Sequence, residues 1–252
     1  MTKPLGIVLL FVLTNGSLLL LFPFSIRRLV LTALLYASGT AVMLVILFDP
    51  HSRWLLDRTT EVPCNGHPCV ALTFDDGPSS DVTPRVLDIL RDKKVPATFF
   101  LVGREVERNP GLARRMRHEG HVIGNHTYSH PPLFCFLSPW RLRDEIEKAQ
   151  EAIFRATGDR PRHFRSPVGL RHPVLKLALE RAALEFVLWQ LRTYDTWALT
   201  SDTLRRRILE QVRPGSIVLM HDRSGPGADA MVAALPDVID GLRARGYELV
   251  TL

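Results

Sequence analysis

The sequence predicts an α/β fold in two parts, an N-terminal transmembrane helical hairpin followed by an irregular barrel of parallel strands and helices. Two observations predict it. The first 48 residues carry only three charged side chains, Lys3, Arg27 and Arg28, although charged residues make up 23% of the chain. From Val70 onward, short apolar runs alternate with amphipathic segments, which is typical of parallel strands joined by helices. A hydrophobic content of 46% excludes a disordered or low-complexity chain.

The N-terminal segment contains two uncharged runs, 4–26 and 29–48, and each is near the ~20 residues that a membrane-crossing helix needs. A secretory signal peptide is the alternative for the first run, and the second would then still remain as an anchor. Residues 1–48 are therefore predicted as a membrane anchor with the lipid bilayer as partner. Residues 49–69 are predicted as a juxtamembrane linker, and 70–252 as the domain that carries the function.

The positive charges orient this predicted anchor. Arg27 and Arg28 lie between the two runs, and short loops rich in arginine stay in the cytoplasm. Lys3 and the free amino terminus favour the opposite orientation more weakly. We expect a membrane-anchored protein of a bacterial-type inner membrane, with its main domain on the outer, periplasmic side.

The formal net charge of +6 is no sign of nucleic-acid binding. Half of it belongs to the N-terminal segment, and the rest is spread among many acidic residues. Phosphate-backbone binding needs a concentrated basic surface. No nucleic-acid partner is expected, and the sequence does not identify a protein partner.

Three cysteines bear on the redox compartment. Cys64 and Cys69 flank the turn-rich spacer N-G-H-P, which would let the thiols meet in an oxidising compartment. Two unpaired thiols are an equally good interpretation. A metal site with His67 is the weakest, because a fourth ligand is missing. Cys135 is expected to be a packed thiol.

Seven strands and six helices are predicted in the main domain. The strands are 70–74, 97–101, 121–124, 162–165, 185–191, 216–220 and 247–251, and the helices are 83–93, 104–118, 141–156, 173–181, 202–211 and 229–244. The segment is short for an eight-stranded barrel of ~250 residues, so a shortened barrel fits better, with an open doubly wound sheet as the alternative. Both place functional side chains at the carboxyl ends of the strands.

Two motifs at predicted strand ends indicate a metal. Asp75 and Asp76 follow the first strand, and two buried carboxylates need a compensating charge. His126 and His130 follow the third strand and precede Pro131, which restricts His130 to an extended backbone and places the pair in a turn. Joined to one aspartate, the histidines would form a two-His, one-carboxylate site of the catalytic type.

Three other strand ends carry chemistry-bearing residues. Arg165 follows the fourth strand, Asp195 the fifth, and His221 the sixth. Each alone is a weak signal, since a buried arginine or histidine is often structural. Five polar strand ends out of seven are nevertheless the pattern of a single site at a barrel mouth.

The motifs T-F-D-D-G-P, H-T-x-x-H-P, R-x-P-x-G and L-x-H occur in this order from Val70 onward. They resemble the polysaccharide deacetylases with a NodB-like domain, carbohydrate esterase family 4. The resemblance implies a distorted seven-stranded barrel and a metal-dependent hydrolase that acts on carbon–nitrogen bonds other than peptide bonds. Its substrate would be an N-acetylated polysaccharide, peptidoglycan or lipid-linked sugar, with O-acetyl and N-formyl groups as alternatives.

The same resemblance assigns the site. It implies Asp75 as general base and His221 as general acid, with Arg165 orienting the base and Asp195 supporting the acid. It implies Asp76, His126 and His130 as ligands of one divalent ion, for which zinc is expected and cobalt, manganese or nickel are alternatives.

One departure from the family lies after the fifth strand. The family reads D-x-x-D-W there, whereas this chain has Arg192 in place of the first aspartate and Trp197 displaced by one position. This departure therefore bears on the substrate contacts of that side. The rival interpretation is a non-catalytic, membrane-anchored glycan-binding protein, and the complete set of base, ligands and acid argues against it. A serine esterase is excluded because the sequence has no G-x-S-x-G motif.

Overall fold

The computed structural model describes residues 26–48, 58–172 and 174–252. The strands are β1 Cys69–Asp75, β2 Thr98–Leu101, β3 Val122–Asn125, β4 His163–Phe164, β5 Glu185–Phe186, β6 Leu191–Arg192, β7 Ser216–His221 and β8 Glu248–Val250. They lie in the order β5-β4-β3-β2-β1-β7-β6, and β8 pairs with the start of β1. All of these pairings are parallel. The carboxyl ends of the strands therefore meet at one edge, as predicted.

Eight α-helices accompany the strands within the described ranges. They are α1 Ile26–Phe48, α2 Thr83–Lys93, α3 Gly103–Arg108, α4 Pro110–His118, α5 Pro139–Thr157, α6 Leu175–Arg181, α7 Ser201–Gln211 and α8 Ala228–Ala244. The helix predicted over 104–118 is two helices, because Asn109 leaves the helical conformation (φ −130°, ψ 54°) before Pro110. Proline disfavours the helical conformation in the residue before it and cannot donate a backbone hydrogen bond.

Alternation along β1 decides which side chains reach the interior of the barrel. Every residue of β1 is buried. Val70, Leu72 and Phe74 pack in the outer apolar cluster between the sheet and the helices, whereas Ala71 packs in the inner cluster enclosed by the strands. Because side chains alternate along a strand, Asp75 shares the inner face with Ala71. The hydrophobic pattern thus fixes the register that directs the carboxylate inward.

The strand predicted over 185–191 is broken into β5 and β6. β5 pairs with β4 and β6 pairs with β7, so this one segment joins the two ends of the sheet order. The break has a physical cause. The Arg165 guanidinium donates hydrogen bonds to the carbonyl oxygens of Val187 (3.3 Å) and Leu188 (3.0 Å), so these carbonyls bind a side chain instead of a neighbouring strand. If β5 and β6 are counted as one strand, the barrel has seven strands in its wall. This number agrees with the predicted distorted seven-stranded barrel.

The predicted N-terminal transmembrane hairpin is wrong. No helix in residues 26–48, 58–172 and 174–252 has both the length and the hydropathy needed to cross a bilayer. The second predicted span, 29–48, lies within α1, which includes the polar residues Ser38 and Thr40 near its middle. The first predicted span, 4–26, lies outside the described residues except for Ile26.

The predicted linker contacts the barrel. Thr59 forms a parallel bridge with Val187, and Glu61 an antiparallel one with Ser216. Cys64 and Cys69 form a disulfide, which decides between the alternatives for this pair and removes both thiols as metal ligands. Cys135 is a buried free thiol, as expected.

Candidate active site

The seven residues predicted for the site lie at the carboxyl edge of the sheet. Asp75 ends β1 and His221 ends β7. The other five follow strands: Asp76 after β1, His126 and His130 after β3, Arg165 after β4, and Asp195 after β6. Side-chain contacts join them into two groups. One group surrounds Asp75 and Asp76, and the other surrounds His221.

Asp76 and the two histidines form the one group of three or more His, Cys, Asp or Glu side chains in the described ranges that could hold a metal ion. One ligand atom of each lies within 4.8 Å of the others. Asp76 Oδ1 is 3.4 Å from His126 Nε2 and 3.2 Å from His130 Nε2. This oxygen is buried without a hydrogen-bond partner in the described part of the chain. An orphaned carboxylate oxygen facing two imidazole nitrogens fits a divalent cation.

The backbone hydrogen bond of His126 leaves the correct nitrogen available. Its Nδ1 lies 2.7 Å from the carbonyl oxygen of Arg165. A carbonyl only accepts, so Nδ1 carries the proton and Nε2 presents its lone pair to the cluster. This second partner fixes the orientation of the ring, as is usual for metal-binding histidines.

The charges of the group shift its pKa values in opposite directions. Burial raises the pKa of Asp76, but His126 and then His130 outweigh it and hold this pKa well below its usual range. Burial lowers the pKa of His126, whereas the carboxylates of Asp75 and Asp76 raise it above its ordinary value. Burial and then the charge of His126 lower the pKa of His130 to about 4. A neutral His130 and an ionised Asp76 are the forms that bind metal.

Positive backbone φ angles shape the turns that carry these ligands. Asp76, Thr127 and His130 have φ values of 76°, 67° and 52°, a region that non-glycine residues adopt at a cost. The extended backbone predicted for His130 is therefore wrong. Its N–H instead donates to Thr127 Oγ1 (3.1 Å), which holds the turn in place.

Arg165 fixes the position of Asp75. Its guanidinium is fully buried and donates from Nη1 to Asp75 Oδ1 (2.7 Å) and Thr73 Oγ1 (2.8 Å). The group also stacks 4.0 Å from the centre of the Phe100 ring. The guanidinium also donates to the two carbonyls between β5 and β6, so it is held on several sides. Asp75 Oδ2 lies 3.8 Å from His126 Nε2 and so remains directed toward Asp76 and the two histidines.

His221 and Asp195 form the second group. Asp195 Oδ1 accepts from His221 Nδ1 (2.9 Å), and its Oδ2 accepts from the His221 backbone N–H (2.7 Å). Burial lowers the pKa of His221, but the hydrogen bond and charge of Asp195 raise it above the ordinary value. Because Nδ1 is engaged with a carboxylate, Nε2 is the ring atom able to give a proton to a substrate.

Two residues next to the site, Asp222 and Arg223, were not identified from the sequence. Asp222 is fully buried and accepts from Gly77 N–H (3.1 Å) and Thr83 Oγ1 (2.5 Å), and burial raises its pKa to about 7. A Cβ on Gly77 would lie 2.2 Å from this carboxylate, so glycine is required there. Arg223 Nε contacts Asp76 Oδ2 at 3.0 Å. The charged sequence H-D-R at the end of β7 was the signal that could have identified both residues.

Arg192, the departure on the acid side, stacks against aromatic rings. Its guanidinium carbon is 5.9 Å from the Trp189 ring centre and 5.2 Å from that of Tyr194. Trp197 is 62% exposed and its ring centre lies 5.1 Å from that of Tyr194. Arg192 therefore contributes to an aromatic and cationic surface rather than to the His221–Asp195 pair.

Known proteins resemble this chain over about three quarters of its length. A family described as "Polysaccharide deacetylase" matches residues 63–187. A peptidoglycan-N-acetylglucosamine deacetylase of Bacillus cereus is 40% identical over 73% of this chain, which spans 66% of that relative. A chitooligosaccharide deacetylase of Bradyrhizobium is 40% identical over 73% of this chain and 89% of its own length.

The fold is similar as well. A crystal structure of a peptidoglycan N-acetylglucosamine deacetylase superposes with a TM-score of 0.72 and 38% identity, over 77% of this chain and 90% of that one. These matches agree with the resemblance inferred from the four motifs.

Proposed function

Because the chain belongs to the polysaccharide deacetylase family, a family of hydrolases that act on non-peptide carbon–nitrogen bonds, we propose that it removes N-acetyl groups from an amino-sugar glycan. One observation carries the proposal. The buried, unpartnered Oδ1 of Asp76 faces two histidine nitrogens, beside a carboxylate that is held by a buried arginine. The proposed metal ligands and the proposed base thus lie together at one edge of the sheet.

Asp76, His126 and His130 would hold a divalent ion. When bound, it would supply Lewis-acid polarisation of the amide carbonyl and activation of water. Two imidazoles and one carboxylate suit zinc, with open positions for water and substrate. Titration of the purified protein with zinc, cobalt, manganese and nickel, followed by acetate release, tests the identity of the ion.

Asp75 would act as general base. Arg165 holds its Oδ1, which leaves Oδ2 to accept a proton from the attacking water. Burial of both partners keeps bulk water from competing for the carboxylate and fixes its direction. Proton transfer by a positioned group of this kind contributes roughly 10²- to 10⁴-fold to a rate.

His221 would act as general acid. Asp195 raises the pKa of His221, so that more of the ring is protonated near neutral pH. The proton on Nε2 can then pass to the amine nitrogen as the carbon–nitrogen bond breaks. Asp195 at the same time fixes the ring through Nδ1 and through the backbone N–H.

The substrate class follows from the relatives. One is named for peptidoglycan N-acetylglucosamine and another for chitooligosaccharide, so a glycan that contains N-acetylglucosamine is the proposed substrate. The test is a panel of peptidoglycan, chitooligosaccharides and a lipid-linked N-acetyl sugar, with the released acid identified as acetate or formate. Binding of these glycans without any release would indicate a non-catalytic glycan-binding protein instead.

We also propose that the domain works outside the cytoplasm, and the Cys64–Cys69 disulfide supports this. Disulfides persist in oxidising compartments and are rare in the cytosol. Thiol labelling of protein from intact cells, with and without prior reduction, tests it. Labelling of both cysteines without reduction would contradict the proposal. Replacing both cysteines with serine is expected to cost about 2 kcal/mol of stability, since the bridge closes a short loop.

A further inference from the structure

Arg223 places an unexplained positive charge at the mouth of the site. It is the second residue after β7, and its side chain is 53% exposed. Nε contacts Asp76 Oδ2, whereas its two terminal amino groups have no hydrogen-bond or ion-pair partner among the described residues. Arg223 itself lines a cleft, together with Asp195, Thr196, His221, Ser224 and Gly225. Its side chain therefore lies beside the proposed general acid.

The charges of the site leave Arg223 in excess. Asp75 is matched by Arg165, and Asp195 by His221 in its protonated form. A divalent ion at the three ligands would exceed the single charge of Asp76, so Arg223 adds to a site that is already positive. Hydrolysis of a neutral acetamide does not require this further charge. The nearby Asp81 accepts a hydrogen bond from Ser224 Oγ (2.7 Å) and does not pair with Arg223.

The geometry of the guanidinium points to its ligand. Arginine presents N–H donors in a planar fork that matches a carboxylate, and Arg223 already binds one carboxylate through Nε. Half exposure leaves the remaining donors available without a large desolvation cost. The cleft that Arg223 lines is also lined by His221, next to which the leaving amine would lie.

We infer that Arg223 is a specificity-determining residue that binds a carboxylate on the sugar next to the reacting acetamide. The protein would then prefer an acidic glycan over a neutral one. This inference rests on the proposed deacetylase function for its substrate, but the preference can be measured by binding alone. Charge-assisted hydrogen bonds of this kind correspond to roughly a 10- to 100-fold preference.

The test compares two probes that differ by one charge. The first probe is the disaccharide formed by N-acetylglucosamine and N-acetylmuramic acid. The second is the same disaccharide with the muramic acid carboxylate converted to its methyl ester. Dissociation constants are measured by calorimetry with the zinc-loaded full chain, and kcat/KM is measured with the same pair. Wild type is expected to prefer the free acid by at least ~10-fold. The preference should fall as ionic strength rises, because the guanidinium is half exposed.

Variants of Arg223 separate specificity from support of Asp76. Arg223→Gln should reduce the preference to within about 2-fold, and Arg223→Lys should keep part of it. Arg206→Gln is the matched control, because Arg206 is similarly exposed (59%) and its Nε pairs with Asp202 Oδ2 at 3.1 Å, outside the site. It should leave the preference unchanged.

Three results would overturn the inference. Equal binding of acid and ester by wild type is one, and a full preference in Arg223→Gln is another. The third is an equal weakening of both probes together with reduced zinc affinity, which would mean that Arg223 only positions Asp76. If no glycan of the panel is hydrolysed, the proposed function fails, and the ratio of dissociation constants for the two probes still decides the role of Arg223.

Discussion

The two halves of the site differ in how firmly they are held. The base half consists of Asp75, Asp76, His126, His130 and Arg165. The acid half consists of Asp195, His221, Arg192, Arg223 and Trp197. In the base half, Arg165 is fully buried and binds a carboxylate, a hydroxyl and two carbonyls. In the acid half, the Arg223 side chain is 53% exposed and Trp197 is 62% exposed.

This difference indicates where change can be tolerated. Removing one partner of a buried ion pair costs about 3–5 kcal/mol, whereas an exposed pair contributes ~1 kcal/mol or less. The base half therefore has little freedom, and it matches the family motifs. The acid half carries the departure at Arg192 and the additional Arg223. We infer that the buried groups of both halves carry the chemistry and that substrate preference is set by the exposed residues of the acid half.

The largest effect is expected for Asp75→Asn. It removes the proton acceptor and keeps the shape, so kcat should fall roughly 10²- to 10⁴-fold. Zinc binding, measured by calorimetry, should remain because Asp75 is not among the three ligands. Asp229→Asn, which changes an exposed carboxylate outside the site, is the control. Near-full hydrolysis by Asp75→Asn would show that this residue is not the base.

His126→Ala is expected to lower zinc affinity by more than ~100-fold, since loss of a ligand should exceed the 10- to 100-fold typical of supporting residues. The readout is metal content after dialysis, together with a zinc titration. His118→Ala, an exposed histidine at the end of α4, should bind as wild type does. Retention of stoichiometric zinc by His126→Ala would remove it from the ligand set.

A smaller effect in the acid half is expected for Asp195→Asn. In the proposed mechanism activity needs protonated His221, whose raised pKa would extend activity toward higher pH. Without the carboxylate, the pKa of His221 should fall, and the alkaline limb of the kcat profile should move to lower pH. The loss at neutral pH should be up to ~10²-fold, the low end for acid catalysis. An unmoved alkaline limb would contradict the role of Asp195.

The smallest effect is expected for Arg192→Asp, which restores the acid of the family motif. Base, ligands and acid are untouched, so kcat should stay within about 2-fold, while loss of the ring contacts should change KM by ~10-fold or less. Arg192→Lys keeps the charge and serves as the control. A large fall in kcat with unchanged KM would place Arg192 in the chemistry and break the comparison between the two halves.

The sequence predicted where the residues of the base half lie because they are close to strand ends. Asp75 and Asp76 are adjacent, His126 and His130 are four apart, and alternation in β1 directs Asp75 inward. Arg165 was also placed correctly at a strand end. Each of these positions depends on strand register, which the hydrophobic pattern specifies strongly.

The hydrophobic pattern of the sequence could not predict contacts between residues that lie far apart in the chain. The break between β5 and β6 arises because Arg165 binds carbonyls more than twenty positions away in the chain. The pairing of Arg223 with Asp76 joins opposite ends of the domain, and the positive φ of His130 depends on Thr127. Lack of charge alone was likewise an inadequate criterion for a membrane span, as α1 shows.

A metal-dependent deacetylase with a positioned base is tested most directly by acetate release from peptidoglycan before and after removal of the metal. The expectation is release by the zinc-loaded protein, loss on stripping with a chelator, and recovery when one equivalent of zinc is returned. Protein that binds one zinc at Asp76, His126 and His130 and releases no acetate from any N-acetyl glycan of the panel would contradict it.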